Sequence, residues 1–391
     1  MSRIPVFTAL WITSVVAAVG VATFLVAGLV LAKLVDPNPF PLTGLQSPRG
    51  LTVLEDGQLL VAEVLGGRLL RLDPKGKVSV VQERLPATFG GPGEQYPTGV
   101  SAAALVDGTY YYVVGEFRGS RYSTLYRLDP AGPPEALAGG VGRDGFPASR
   151  LTNPYDLVAA PQGGFLVSDS GINGVLHISG TGVISEYALF PRRELNTGPE
   201  DYTFDVVPTG LTLGPDGALY LASFTGYPYL PGAAYIYRLE DRNRDGDAMD
   251  SGEVTVYAEG FSAATDLAFA GDGSLLVTEF SADMLGLITD YDIDQAAEIP
   301  GRLVRWREGN IEVVAEGLVS PTSVAVLPGR IFVSEEFAGR VTEIGARPSD
   351  ENWPKAASVA AGLLAAALLL AALIWWQRNH RRVAAGLDSS S

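Results

Sequence analysis

The segment DRNRDGDAMDSGE at 241–253 is the densest run of hard oxygen donors in the chain. Oxygens at alternate positions, followed by a glycine that permits a sharp turn, suit a cation taking about six to eight oxygen ligands. Asp241, Asn243, Asp245, Asp247 and Glu253 are therefore calcium candidates. The match to an EF-hand loop is inexact. Its closing bidentate glutamate would fall on Gly252, whereas Glu253 lies one residue beyond and Asp250 two before. The plainer alternative is a solvated acidic turn.

Two further sets of carboxylates stand at related places in the chain. Glu63, Glu116, Asp169, Glu279 and Glu335 each end a short aliphatic run, and Ser223 takes that place in one more. Converging carboxylates can hold a metal or a cationic ligand. A carboxylate recurring at fixed spacing is better explained by backbone amides that need an acceptor, and that structural role is expected here. Asp156 and Asp266 are less regular, because comparable segments carry glycine at their position, just after Arg49, Thr98 and Thr209. They follow Tyr155 and Thr265, and are candidates for ligand binding or for capping a loop, with Asn153, Tyr202 and Glu94 in neighbouring loops. The loop TGYPYLPG adds Tyr227 and Tyr229 as rigid aromatic contact residues, which give area at small entropic cost.

Absences narrow the chemistry. There is no cysteine, which removes disulfides, thiol catalysis and cysteine-ligated metals. The only histidines are His177 and His380, so a histidine zinc site is excluded and a histidine general base is disfavoured. No nucleophile elbow or glycine-rich phosphate loop is evident. Hydrolysis of a lactone or ester by carboxylates around a divalent metal is the enzymatic reading that survives.

The elements that must position these residues are repeats. SPRGLTVLEDGQLLVAE, from Ser47, recurs as NPYDLVAAPQGGFLVSD from Asn153, VPTGLTLGPDGALYLAS from Val207 and AATDLAFAGDGSLLVTE from Ala263. Looser copies begin near Tyr96 and Ser320, giving six units with a period of roughly 50 to 57 residues. Within each unit two aliphatic, β-branched runs flank a tight turn such as Asp56-Gly57 or Asp107-Gly108, and a third run follows, for example RLLRLD from Arg68. A fourth is visible at Val78, Val254 and Ile311. Four antiparallel strands per unit and six units predict an all-β, six-bladed β-propeller over 40–346. The last unit has only three strands before the pattern stops near Gly345, while FPLTGLQSP from Phe40 aligns with VVAEGLVSP from Val313. Residues near 40–42 are therefore expected to supply its outer strand and close the ring, despite Pro37, Pro39 and Pro41, which suit only an edge.

The repeated P-x-[GD]-L-x-x-x-x-D-G-x-L-x-V-x-E pattern, led by GL-x-x-P, resembles the ScyD/ScyE family among the NHL-like propellers, over about Leu42 to Gly345. The resemblance implies a six-bladed propeller and an extracytoplasmic or biosynthetic accessory role. It supplies no catalytic motif to carry over, and a propeller by itself implies no activity.

The ends read differently. Residues 4–34 and 356–377 form apolar spans long enough, at about 1.5 Å per residue, to cross a bilayer core of about 30 Å. Tryptophans at 11, 353, 375 and 376 suit their interfaces. A cleaved signal peptide ending near Val30-Leu31-Ala32 competes for the first span, but its apolar stretch is too long for one. Arg3 before the first span, and Arg378, Arg381 and Arg382 after the second, place both tails, including 378–391, in the cytoplasm, with the propeller outside. The whole chain has a formal charge of −16; setting aside both ends, each a net +2, leaves about −20 on the middle. Such a charge disfavours nucleic acid as a partner. The expected function is thus that of a propeller embedded in the plasma membrane, which binds an extracytoplasmic protein or small-molecule ligand with calcium as a stabilising ion.

Overall fold

The computed structural model describes residues 40–87, 97–115, 123–129, 132–139, 151–194, 203–281, 283–284 and 299–345. Glu94, Glu116, Tyr202, both apolar spans and the tail 378–391 lie outside the described residues. Among the described residues no helix is long and apolar enough to cross a membrane.

Six four-stranded antiparallel sheets occupy 48–82, 100–139, 154–189, 208–261, 264–318 and 321–344, the last completed from the start of the chain. These are the six blades, numbered one to six below. Neighbouring blades cover both faces of the second strands, which bury every residue in four blades, as in Leu59–Glu63 and Leu275–Glu279. The fourth strands, such as Val78–Gln82, are the most exposed. At Asp107-Gly108 both turn residues have positive φ, 49° and 79°, the mirror-image turn whose twist matches the strands it joins.

The closure expected from the repeat is present. Leu42–Thr43 pairs antiparallel with Arg340–Ile344, Leu42 opposite Val341 and Thr43 opposite Arg340. The chain therefore enters and leaves the propeller at the end of the blades where third strands turn into fourth strands. We call this the lower face and the opposite end, where first strands begin, the upper face. The loop 241–253 joins the third and fourth strands of blade four and lies on the lower face.

The core is divided by seam rather than pooled. One cluster of buried aliphatic and aromatic side chains fills each boundary between neighbouring blades, for example Leu60, Val100 and Tyr112 between blades one and two, and Leu51, Leu70, Phe332 and Val341 between six and one. Each fully buried Leu or Val contributes about 2 kcal/mol, so every seam depends on both of its blades. One element was not legible in the repeat. A two-stranded ribbon, Arg193–Glu194 with Thr203–Phe204, stands between blades three and four. There Arg193 lies 3.6 Å over the ring of Tyr235 and bonds the carbonyl of Ala233, tying the ribbon to the Tyr227 loop.

Candidate functional site

First strands begin at the upper mouth of the central channel, and their first residues set its chemistry. A side chain near that mouth of every blade donates to the carbonyl at the start of the next: Arg49 to Pro97, Ser101 to Pro154, Ser170 to Pro208, Thr209 to Ala264, Thr265 to Pro321 and Thr322 to Pro48. Hydroxyls suffice for five of these six links. Arg49 and Tyr155 are the bulky departures, and they fill the mouth. The Tyr155 hydroxyl reaches across to the carbonyl of Thr322, 3.3 Å away in the opposite blade, and the Arg49 guanidinium lies 5.9 Å from the Tyr155 ring centroid.

Arg49 is held by Glu336, which is 3% exposed. Two guanidinium nitrogens reach the two carboxylate oxygens, at 2.7 and 3.2 Å, and Ser47 donates to the same carboxylate at 2.7 Å. Burial opposes the charge on Arg49, but Glu336 outweighs it and keeps the guanidinium above its ordinary pKa. Burial pushes the Tyr155 phenol well above its usual range.

Asp156 and Asp266 share this environment. One oxygen of Asp156 accepts from Leu157 and the other from Leu211 of the next blade, each at 2.8 Å. Asp266 repeats the pattern, accepting from Leu267 and from Val324 of the next blade at 2.8 and 2.9 Å, with Ser323 as a further donor. Ser323 continues it, because its hydroxyl oxygen accepts from Leu51 of blade one at 3.1 Å. Both aspartates thus cap the first strand of the following blade. Gly210 shows why one blade lacks a side chain here: a Cβ on it would come within 2.3 Å of the Asp266 carboxylate. Burial raises the pKa of Asp156 to about 6. Burial first, and then the charge of Asp156, raise Asp266 to about 8.

The recurrent carboxylates behave as structural acceptors. Glu63, Asp169, Glu279 and Glu335 are fully buried and accept from the amides of Gln46, Thr152, Ser262 and Val319, all at one repeat position. Three of them also pair across the strand with Arg68, Arg302 and Arg340. In blade four, Ser223 instead accepts from the Tyr235 amide at 2.9 Å.

Tyr227 and Tyr229 belong to a different part of the upper face. Five rings, Tyr227, Tyr229, Phe224, Phe280 and Phe337, follow one another edge to face with centroids 5.8 to 6.2 Å apart, crossing from blade four to blade six. Tyr227 is 59% exposed. The loop carrying it is fixed by backbone bonds from Thr225 to Val206 and from Gly226 to Asp205. Thr225 and Tyr229 hold positive φ of 76° and 56°, and a strained backbone of this kind persists only where its surroundings dictate it.

In the loop 241–253, Asp241 accepts from the amides of Asp245 and Gly246. The Asn243 side-chain amide lies between the carboxylates of Asp245 and Asp250, at 2.9 and 2.6 Å. Asp247 bonds the Met249 amide. Glu253 turns inward, accepting from the amides of Arg242, Asn243 and Asp250. It supports the loop from beneath, whereas Asp250 is exposed and accepts from the Asn243 side chain. Among the described residues, no three His, Asp or Glu side chains converge closely enough to enclose a metal as they stand.

Sequence reasoning singled out Asp156 and Asp266 and missed Arg49, Tyr155 and Glu336 as the groups that fill the mouth. A signal was available: the residue after the second strand is Val64, Phe224 and Phe280 in three other blades and Ser170 in blade three, and Glu336 is charged.

No family model and no curated protein matches the chain. Solved structures do. A protein assigned as an oxidoreductase (glucose dehydrogenase) from Thermus thermophilus aligns at 18% identity and TM-score 0.50, covering 77% of this chain and 97% of its own. The PQQ-bound aldose sugar dehydrogenase of Streptomyces coelicolor aligns at 16% and 0.48, over 77% and 94%. Virginiamycin B lyase from Staphylococcus aureus aligns at 15% and 0.44, over 79% and 98%. At these identities the likeness concerns the fold alone.

Proposed function

We propose that the chain is a membrane-anchored, extracytoplasmic propeller of the ScyD/ScyE kind, whose upper face binds a protein or small ligand. The observation that carries this reading is the run of five rings, three of them on the strained loop of blade four, beside a channel mouth already filled by Arg49, Tyr155 and Glu336. Rigid exposed aromatics give contact area at little entropic cost. Replacing Tyr227 and Tyr229 by Ala is expected to leave the melting temperature within a few degrees while weakening partner capture about tenfold or more. Unchanged capture by the folded double variant would remove the reading.

Orientation is testable separately. Protease added to cells with a permeable outer envelope should cut the propeller loops and spare the tail after Arg382. A protected propeller with an accessible tail would reverse the assignment.

Calcium is proposed for the loop 241–253, with Asp241, Asn243, Asp245 and Asp247 as ligands and Glu253 as the support that shapes it. Binding requires the Asn243 amide to turn its oxygen toward the carboxylates it now donates to. An ion held only by the native state stabilises it by mass action, so chelation should lower the melting temperature of the wild type. It should have no effect after Asp241→Ala and Asp245→Ala. A wild type indifferent to both chelator and calcium would leave an acidic turn.

The second reading, metal-dependent lactone or ester hydrolysis in the channel, is favoured by one observation. Two carboxylates with raised pKa, Asp266 buried and Asp156 half-buried, lie close enough to influence one another, a pattern common at catalytic sites. The backbone amides both already hold assign them more simply to joining blades.

A further inference from the structure

We infer that the upper-face seam between blades six and one holds a binding pocket for a small organic ammonium ion. The inference rests on the upper face being the binding face, and it names a ligand class for one part of it. A cavity of about 240 Å³ opens at this seam, lined by Ser47, Leu65, Pro97, Glu336 and Phe337 among others. That is below the about 300–1,000 Å³ of pockets for drug-sized ligands, so only a small molecule or the end of a chain fits.

Ring closure does not explain the charges here. Each of the other five links between blades at the channel mouth is made by a hydroxyl, and the residues equivalent to Glu336 in blades one, four and five are apolar. A buried ion pair is often no more stable than the well-packed apolar residues that could replace it. Two departures from the repeat, Arg49 and Glu336, nevertheless meet at this one seam.

The unused hydrogen-bonding capacity identifies the ligand. Glu336 Oε1 accepts from Ser47 and Arg49, whereas Oε2 accepts from Arg49 Nε and, among the described residues, from no other side chain, so it keeps a lone pair. Ser47 gives its only hydroxyl proton to Glu336, which leaves its oxygen as an acceptor. The Pro97 carbonyl takes one donor from Arg49 and has a second lone pair. The polar wall therefore offers acceptors to the pocket. A carboxylate or phosphate would meet the Glu336 carboxylate and these lone pairs, whereas an ammonium group brings three donors and a charge. Leu65 and Phe337 form the apolar wall for the rest of the ligand. The chain's net charge of −16 draws cations from a distance.

The test uses the purified full chain and three probes of matched shape: phenethylammonium, 2-phenylethanol and phenylacetate, titrated by calorimetry and ligand-observed NMR. Phenethylammonium should bind with one-to-one stoichiometry, the alcohol about tenfold more weakly, and phenylacetate not measurably. Glu336→Gln should reduce ammonium binding about tenfold, because it keeps the shape and removes the charge. Leu65→Trp should block the pocket without touching a charged group, so it decides the matter if the Glu336 variant does not fold. Equal binding of the three probes, absence of ammonium binding, or a Leu65→Trp protein that binds as well as the wild type would overturn the inference. Loss of partner capture in the Tyr227 and Tyr229 variant, with no ammonium binding, would sink this pocket alone. Ammonium binding with capture indifferent to those tyrosines would sink the aromatic reading alone.

Discussion

In a chain trimmed to residues 39–345, removing five further residues, through Thr43, should lower the melting temperature by about 10 °C or more. Those residues are the fourth strand of blade six and its anchor. Leu42 and Thr43 pair with Val341 and Arg340, and without them the third strand becomes an open edge. Phe40 is buried in the cluster between blades six and one, with its ring 5.0 Å from that of Phe332 in an edge-to-face contact. Arg330 stacks over both rings and is itself fixed by Glu343. Losing a buried Phe alone costs about 3–5 kcal/mol. Phe40→Ala in the same chain should account for about half of the loss if the ring anchors the strand. Two trimmed chains that melt together would show that the ring closes without this strand, and the common placement of entry and exit on the lower face would lose its structural basis.

The second large effect is on pH dependence. A carboxyl group whose pKa is raised on folding keeps its proton in the native state while the unfolded chain releases it. Unfolding then releases a proton, and stability falls as pH rises between the two pKa values. For Asp266 that window runs from the ordinary 3.8 to about 8, and for Asp156 to about 6. The slope is at most about 1.4 kcal/mol per pH unit for each group. The groups around them are Arg49, Tyr155 and Glu336, with Ser323 against Asp266. Asp272, lowered to about 2 by its bonds to Ser274, acts oppositely, but only in more acid solution. Stability should therefore be greatest near pH 4 and decline toward pH 8, read as the urea midpoint. Asp266→Asn also loses an acceptor for the Val324 amide, which shifts the whole curve down without a slope of its own. The decline between pH 6 and 8 should be nearly absent in that variant. Wild type and variant declining in parallel would place the titrating group elsewhere.

The repeat made the blades legible because a propeller writes the same strand pattern six times, and every copy of GLTVL or LLVAE must bury the same face. Closure was legible for the same reason, since FPLTGLQSP repeats the join before blade six. The structural role of Glu63, Asp169, Glu279 and Glu335 also followed from recurrence, and their bonds to loop amides bear it out. What recurrence hides is chemistry carried by one copy. Glu336 matters because of Arg49, which is 287 residues away in sequence and adjacent only once the ring closes. Glu253, a calcium candidate by spacing, is instead held by three backbone amides beneath the loop, a demand that ligand spacing does not encode.

The central claim is that binding occurs on the upper face, through the aromatic run. It is tested most directly by placing a photo-crosslinking residue at Tyr227 in the full chain in its own membrane, and the same residue at Met249. Both positions are well exposed, 59% and 49%, but they lie on opposite faces. Cross-linking of one discrete partner from position 227 and none from 249, unaffected by Asp156→Asn and Asp266→Asn, is the expected result. Cross-linking from position 249 alone would place the partner on the lower face and contradict the account.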